Sequence, residues 1–141
     1  MFGRSDDEWA AVVDEATGFL KEQARLRRVT SYTELNVALG QRGQKMFDFT
    51  QEIERQAIGA VLSNVTQATI GESGAMLSSI VVYLNRNDAG PGFYSLAVDL
   101  GLLPDTATSD GKLAFWSNQV GKVHDLYARP PRRRSTDGLS D

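Results

Sequence analysis

Met76-Leu77-Ser78-Ser79-Ile80-Val81-Val82-Tyr83-Leu84 is the stretch on which the fold turns. It is rich in apolar and β-branched residues without a helical period, and reads as a buried strand. A lone strand leaves its backbone donors and acceptors unpaired, so it needs a partner. Two short segments are candidates: residues 28–31, and the residues just before Gly92. The second follows turn chemistry at 85–88, and Gly90-Pro91-Gly92 then forces a tight turn that launches the next helix. The sequence therefore predicts an α+β chain, mostly helical: a winged-helix-like helical bundle with a small β-hairpin.

Upstream of that stretch the period is helical. Over residues 6–28, Trp9, Val12, Val13, Ala16, Phe19, Leu20 and Leu26 recur at three- and four-residue steps, which predicts an amphipathic helix. Asp6, Asp7 and Glu8 lie at the end whose dipole favours anions, and Arg25, Arg27 and Arg28 at the other. Gly18 in its interior costs about 1 kcal/mol against Ala and points to close packing. Ser31 with Glu34 forms a capping box, so a second helix begins at Tyr32, with Leu35, Ala38 and Leu39 inward and Gly40 as its stop. Asp48 with Gln51 caps a third helix, whose inward stripe is Ile53, Ala57, Val61, Leu62 and Val65. Joined by about nine residues, these two helices form a loose helix-turn-helix unit.

Downstream, Phe93, Leu96, Ala97 and Leu100 predict a helix stopped by Gly101 and Pro104. Asp110 caps a last helix with Leu113, Trp116, Val120, Val123 and Tyr127 on one face. Ile80 and Val82 are expected to be buried with Ile58 and Leu62. The aromatic stripes of the two terminal helices belong mostly to the core, and any part left uncovered predicts a homodimer.

The length suits one domain, so residues 1–128 are expected to fold as a single globular unit. They carry 11 basic and 16 acidic side chains, a net acidic balance. Residues 129–141 add four Arg and two Asp, with no apolar residue before Leu139, and are expected to form a disordered basic tail. No apolar run approaches the roughly 20 residues that span a bilayer, and the first residues contain no apolar signal segment. A cytoplasmic protein without a membrane partner is expected. Zero Cys excludes disulfides, thiolate zinc sites and a cysteine nucleophile, and His124, the only histidine, excludes a multi-histidine metal site. No cofactor is expected.

The candidate binding residues concentrate at 21–45, which holds six basic and two acidic side chains. Arg25, Arg28, Arg42 and Lys45, with Lys21 and Arg27, form a possible phosphate-gripping rim, because phosphate neutralisation supplies most nonspecific affinity for nucleic acid. Ser31, Tyr32 and Thr33 at a helix N-terminus add hydroxyl and amide donors for phosphate oxygens. Arg55 and Gln56, on an outward face shared with Gln51, Glu52, Ser63 and Asn64, have the chemistry to read guanine and adenine edges. The bland reading stays open: cations complement a helix C-terminus, and any exposed helix face carries such residues. Ser78 or Ser79 would need His124 as an activating base to act as nucleophiles, and no strained elbow motif surrounds them. No catalytic constellation results, and a non-enzyme is expected.

Two family resemblances follow from these words. Thr30-Ser31-Tyr32-Thr33-Glu34-Leu35, Ala57-Ile58-Gly59-Ala60-Val61-Leu62 and Leu77-Ser78-Ser79-Ile80-Val81-Val82 resemble the order of elements in the winged-helix domain of alkylguanine-DNA alkyltransferases. The catalytic Cys and His positions of that family are Ser78 and Ser79 here, and its inserted arginine falls at Gln56, so the resemblance implies the DNA-binding scaffold without the chemistry. Ser31-Tyr32-Thr33-Glu34-Leu35, Met76-Leu77-Ser78-Ser79-Ile80-Val81-Val82 and Gly90-Pro91-Gly92-Phe93 are also similar to a small, poorly characterised prokaryotic domain. That domain occurs alone in actinobacteria and appended to HNH-type restriction endonucleases. These resemblances imply a non-enzymatic duplex-DNA-binding module in prokaryotic defence or phage biology. The alternative is a protein-interaction or antagonist module that engages a protein partner through its acidic surface.

Overall fold

A computed structural model of the chain describes residues 1–83 and 89–128. The turn expected at 85–88, the residues just before it and the tail at 129–141 lie outside the described residues. Helix α1 (Asp6–Arg25) starts at a Ser5 capping box: the Ser5 hydroxyl accepts from the Glu8 amide at 3.1 Å, and the Glu8 carboxylate accepts from the Ser5 amide at 2.7 Å. Those bonds, that from the Ser5 backbone first, hold the Glu8 carboxyl below its ordinary pKa. The helix stops three residues earlier than expected. Arg27 adopts a left-handed φ of 55°, and its amide and that of Arg28 turn back to the Ala24 and Gln23 carbonyls. This is a Schellman closure with arginine where glycine is usual. Leu26, expected in the apolar stripe, is exposed at the cap.

Strand β1 (Thr30–Ser31) leads into α2 (Tyr32–Gln41), which begins at the expected Ser31–Glu34 capping box. The stop is Gly43, with φ 84°, rather than Gly40. Gly40 lies inside the helix under Met46, whose Sδ would be only 2.8 Å from a Cβ there. Buried Asn36 exchanges two 2.8 Å hydrogen bonds with the Phe47 backbone and so shapes the connection to α3 (Glu52–Ser73). The expected Asp48–Gln51 capping box is absent: Gln51 is the N-cap and makes no side-chain cap bond. Asp48 instead folds the preceding turn, accepting from the Thr50 hydroxyl at 2.6 Å, the Thr50 amide and the Gln51 side chain. Ile53, expected inward, is exposed in the first turn of α3.

The deciding stretch folds differently from its local pattern. Leu77–Ile80 is a 3-10 turn, and only Val81–Val82 is strand, β2. Residues 76–80 are buried, and side chains from two helices hydrogen-bond to their backbone. Thr66 Oγ1 accepts from the Ser78 amide, while the Met76 amide donates to Gln119 Oε1 at 2.9 Å and the Ser79 carbonyl accepts from Trp116 Nε1 at 2.8 Å. β2 pairs with β1 in parallel, Thr30 opposite Val81 and Ser31 opposite Val82. Of the two expected partner segments, 28–31 is therefore the one used, and the described pairing is parallel rather than a hairpin.

Helix α4 (Pro91–Asp99) ends at Gly101 as expected. Helix α5 (Ser109–Tyr127) is capped by Thr108, whose hydroxyl accepts from the Gly111 amide, rather than by Asp110. Leu113 is exposed, and Gln119 is the buried residue one turn before Val123. The main core joins α1, α2, α3, the 3-10 turn and α5, and includes Ile58, Leu62 and Ile80. Val82 is buried as well. A smaller cluster gathers Met76, Phe93, Leu96, Ala97 and Leu103, with Phe115 and Trp116 against it. The described chain is mostly helical with a small parallel two-stranded sheet, and none of its helices is long and apolar enough to cross a membrane.

Candidate nucleic-acid interface

The expected phosphate rim separates into cations already paired and cations left over. Arg42, just past α2, lies along α1. Its Nη2 is 2.9 Å from Glu22, its Nη1 is 3.5 Å from Glu15, and its guanidinium sits 5.7 Å from the Phe19 ring centre. Glu15, Phe19 and Glu22 share one face of α1, with Gly18 between them, so this arginine is held and neutralised by acids 20 and 27 positions away. A Cβ at Gly18 would meet Arg42 Nη1 at 3.6 Å, an ordinary contact, so close packing does not require glycine there. Lys21 is likewise 3.2 Å from Glu72.

Ser31 is buried, with its hydroxyl occupied as the α2 cap. Tyr32 is half-buried, its ring 5.3 Å from that of Tyr83. Burial, and secondarily Tyr83, push its phenol up to about 12. Thr33 is exposed in the first turn of α2. Tyr32 borders a cleft of about 40 Å³ with Gly59, Ser63, Ser78 and Phe93, room for about one water. On its wall the Ser78 hydroxyl accepts from Thr66 at 2.8 Å. His124 is engaged elsewhere: its Nε2 lies 2.9 Å from the Arg28 carbonyl, which can only accept, so Nε2 donates. The serine and histidine that a nucleophile would require are thus not brought together.

On α3, Arg55 and Gln56 are both exposed. Arg55 Nη1 donates to the Phe49 carbonyl at 2.7 Å, and Gln56 Nε2 reaches Glu52 at 3.4 Å. Asn64 faces inward, accepting from Trp9 Nε1 at 2.8 Å, so it does not share their outward face. Lys45 is exposed, and its carbonyl accepts from Arg4. Arg4 itself gave no signal in the sequence. It is buried 4.0 Å from the Phe47 ring centre and 3.4 Å from Glu54, tying the N-terminal turn to the α2–α3 connection.

The cations left over meet where α1 stops. Arg25 and Arg28 are exposed, and among the described residues neither has a carboxylate in ion-pair range. Arg27 between them is 3.1 Å from Asp125. The His124 contact fixes the last turn of α5 against this 25–28 turn. The described chain ends at Ala128, one turn past His124, and the sequence continues with Arg129, Arg132, Arg133 and Arg134. The sequence groups Arg25, Arg27 and Arg28 at the end of the first helix but gives no sign of their contacts with Asp125 and His124, which lie 98 and 96 positions away. Among the described residues no group of three His, Asp or Glu side chains is placed to hold a metal ion. No protein-family model, curated protein or solved structure matches the chain.

Proposed function

We propose that the chain is a non-catalytic nucleic-acid-binding module, winged-helix-like in its use of α2 and α3. Its phosphate grip lies at the 25–28 turn rather than at Arg42. The observation that carries this reading is the pair of exposed guanidiniums, Arg25 and Arg28, without a carboxylate partner among the described residues, in a turn whose Arg28 carbonyl is held by His124 of α5; in sequence, four further arginines follow α5. Guanidinium forks suit phosphate oxygens, and such contacts supply affinity that falls steeply with salt. The resemblance to an accessory domain of HNH endonucleases supports the same reading. The test is fluorescence anisotropy on a random 20-base-pair DNA duplex at ~50 and ~150 mM salt. Binding that weakens steeply with salt supports the proposal, and no binding at the lower salt by folded protein refutes it.

A second reading is favoured by the neutralisation of Arg42 and Lys21. With those cations paired, the acidic excess of residues 1–128 remains outward, which suits a module that engages a basic protein partner. The same titration separates the two, since an acidic module rejects the duplex at both salt concentrations.

A further inference from the structure

Two residues at the end of α5 and α1 stand against their local preferences, and they touch each other. Arg27 occupies the left-handed closing position of α1 at φ 55°, where a side chain is strained and glycine is favoured. The equivalent closures of α2 and α4 use Gly43 and Gly101. Asp125 lies in the last turn of α5, at the negative end of the helix dipole, where an acid is disfavoured. Their side chains meet at 3.1 Å, both more than half exposed. The neighbouring contact from His124 to the Arg28 carbonyl sets the carboxylate opposite the arginine.

We infer that Asp125 is an internal phosphate surrogate: it occupies the Arg27 guanidinium in the free protein and is displaced when a phosphate of bound nucleic acid takes its place. The carboxylate accepts from the Arg27 guanidinium through one oxygen at 3.1 Å, where a phosphate can offer two oxygens to both arms of the arginine fork. An exposed pair of this kind is weak enough to exchange. The device leaves Arg25 and Arg28 to make first contact and holds Arg27 in reserve, so that weak anions do not capture the whole turn. This inference rests on the nucleic-acid reading above.

The experiment uses the full chain and the same fluorescein-labelled random duplex, with Asp125→Asn, Arg27→Ala, the Arg27→Ala/Asp125→Asn double variant, and Asp110→Asn as a control for general loss of negative charge. Circular dichroism confirms that each variant is folded. Asp125→Asn is expected to tighten binding about threefold with the log–log salt slope little changed, since the Arg27–phosphate contact forms in both complexes, whereas Arg27→Ala should flatten the slope by about 0.9 on duplex DNA. The gain should vanish in the Arg27→Ala background, since the two residues act as a pair. A gain no larger than that of Asp110→Asn, or one that persists without Arg27, overturns the surrogate while leaving the binding reading intact. A wild-type chain that does not bind the duplex overturns both.

Discussion

Arg27 is the residue at which local chemistry and fold disagree most. Its left-handed backbone costs a non-glycine residue roughly 1–2 kcal/mol. Its exposed partner Asp125 returns no more than about 1 kcal/mol. Arg27→Gly should therefore stabilise the protein by about 0.5–1 kcal/mol in urea unfolding while weakening duplex binding. A destabilised variant would show that the side chain holds the turn together rather than serving the surface. Gly18→Ala is a second gain, of about 0.5–1 kcal/mol, because the helix interior favours Ala and the nearest atom leaves room for a methyl group. Tyr32 gives a pH prediction. Burial disfavours its phenolate, so its folded pKa of about 12 lies above the ordinary value of 10.0. The stability this contributes is fully present below pH ~10 and is lost as pH rises toward ~12. Ultraviolet titration should show a late-ionising tyrosine component together with alkaline unfolding, and Tyr32→Phe should remove that component.

At the scale of elements, what was legible in the sequence is what is decided locally. The Ser31–Glu34 box lies within four residues and sets the start of α2 as expected. Gly101 closes α4 by its own backbone freedom. What was illegible depends on distant partners. The 76–82 stretch has strand composition, but Thr66, Gln119 and Trp116 bond to the backbone of Met76, Ser78 and Ser79 and allow a 3-10 turn, leaving only Val81–Val82 as strand, which no local window reveals. Ile53, Leu26 and Leu113 keep helical spacing yet are exposed near helix ends. Gln119→Leu should cost about 1–3 kcal/mol by leaving the buried Met76 amide unpaired. Ile80→Ala should cost about 2–5 kcal/mol through lost burial and a cavity. Losses below ~1 kcal/mol at Ile80 would place the 3-10 turn outside the stabilising core.

The whole molecule sorts its cations by pairing. A tally along the sequence makes 21–45 a basic patch, but folding brings Glu15 and Glu22 onto Arg42 and Glu72 onto Lys21. The candidate site was legible only as a list of residue types, because neutralisation is a property of tertiary neighbours. What survives among the described residues is a basic turn built from Arg25, Arg27 and Arg28. Under the proposed function the phosphate contacts lie at that turn, and Arg55 and Gln56, exposed on α3, are the proposed base readers. The most direct measurement compares Arg25→Ala/Arg28→Ala with Arg42→Ala in anisotropy titrations on random duplex DNA across a range of salt. The first variant should lose affinity on every sequence, with a salt slope flatter by about 1.8 for two lost phosphate contacts, while Arg42→Ala leaves the slope unchanged. Equal losses from both, or a loss at Arg42 alone, would contradict the assignment of the grip to the 25–28 turn.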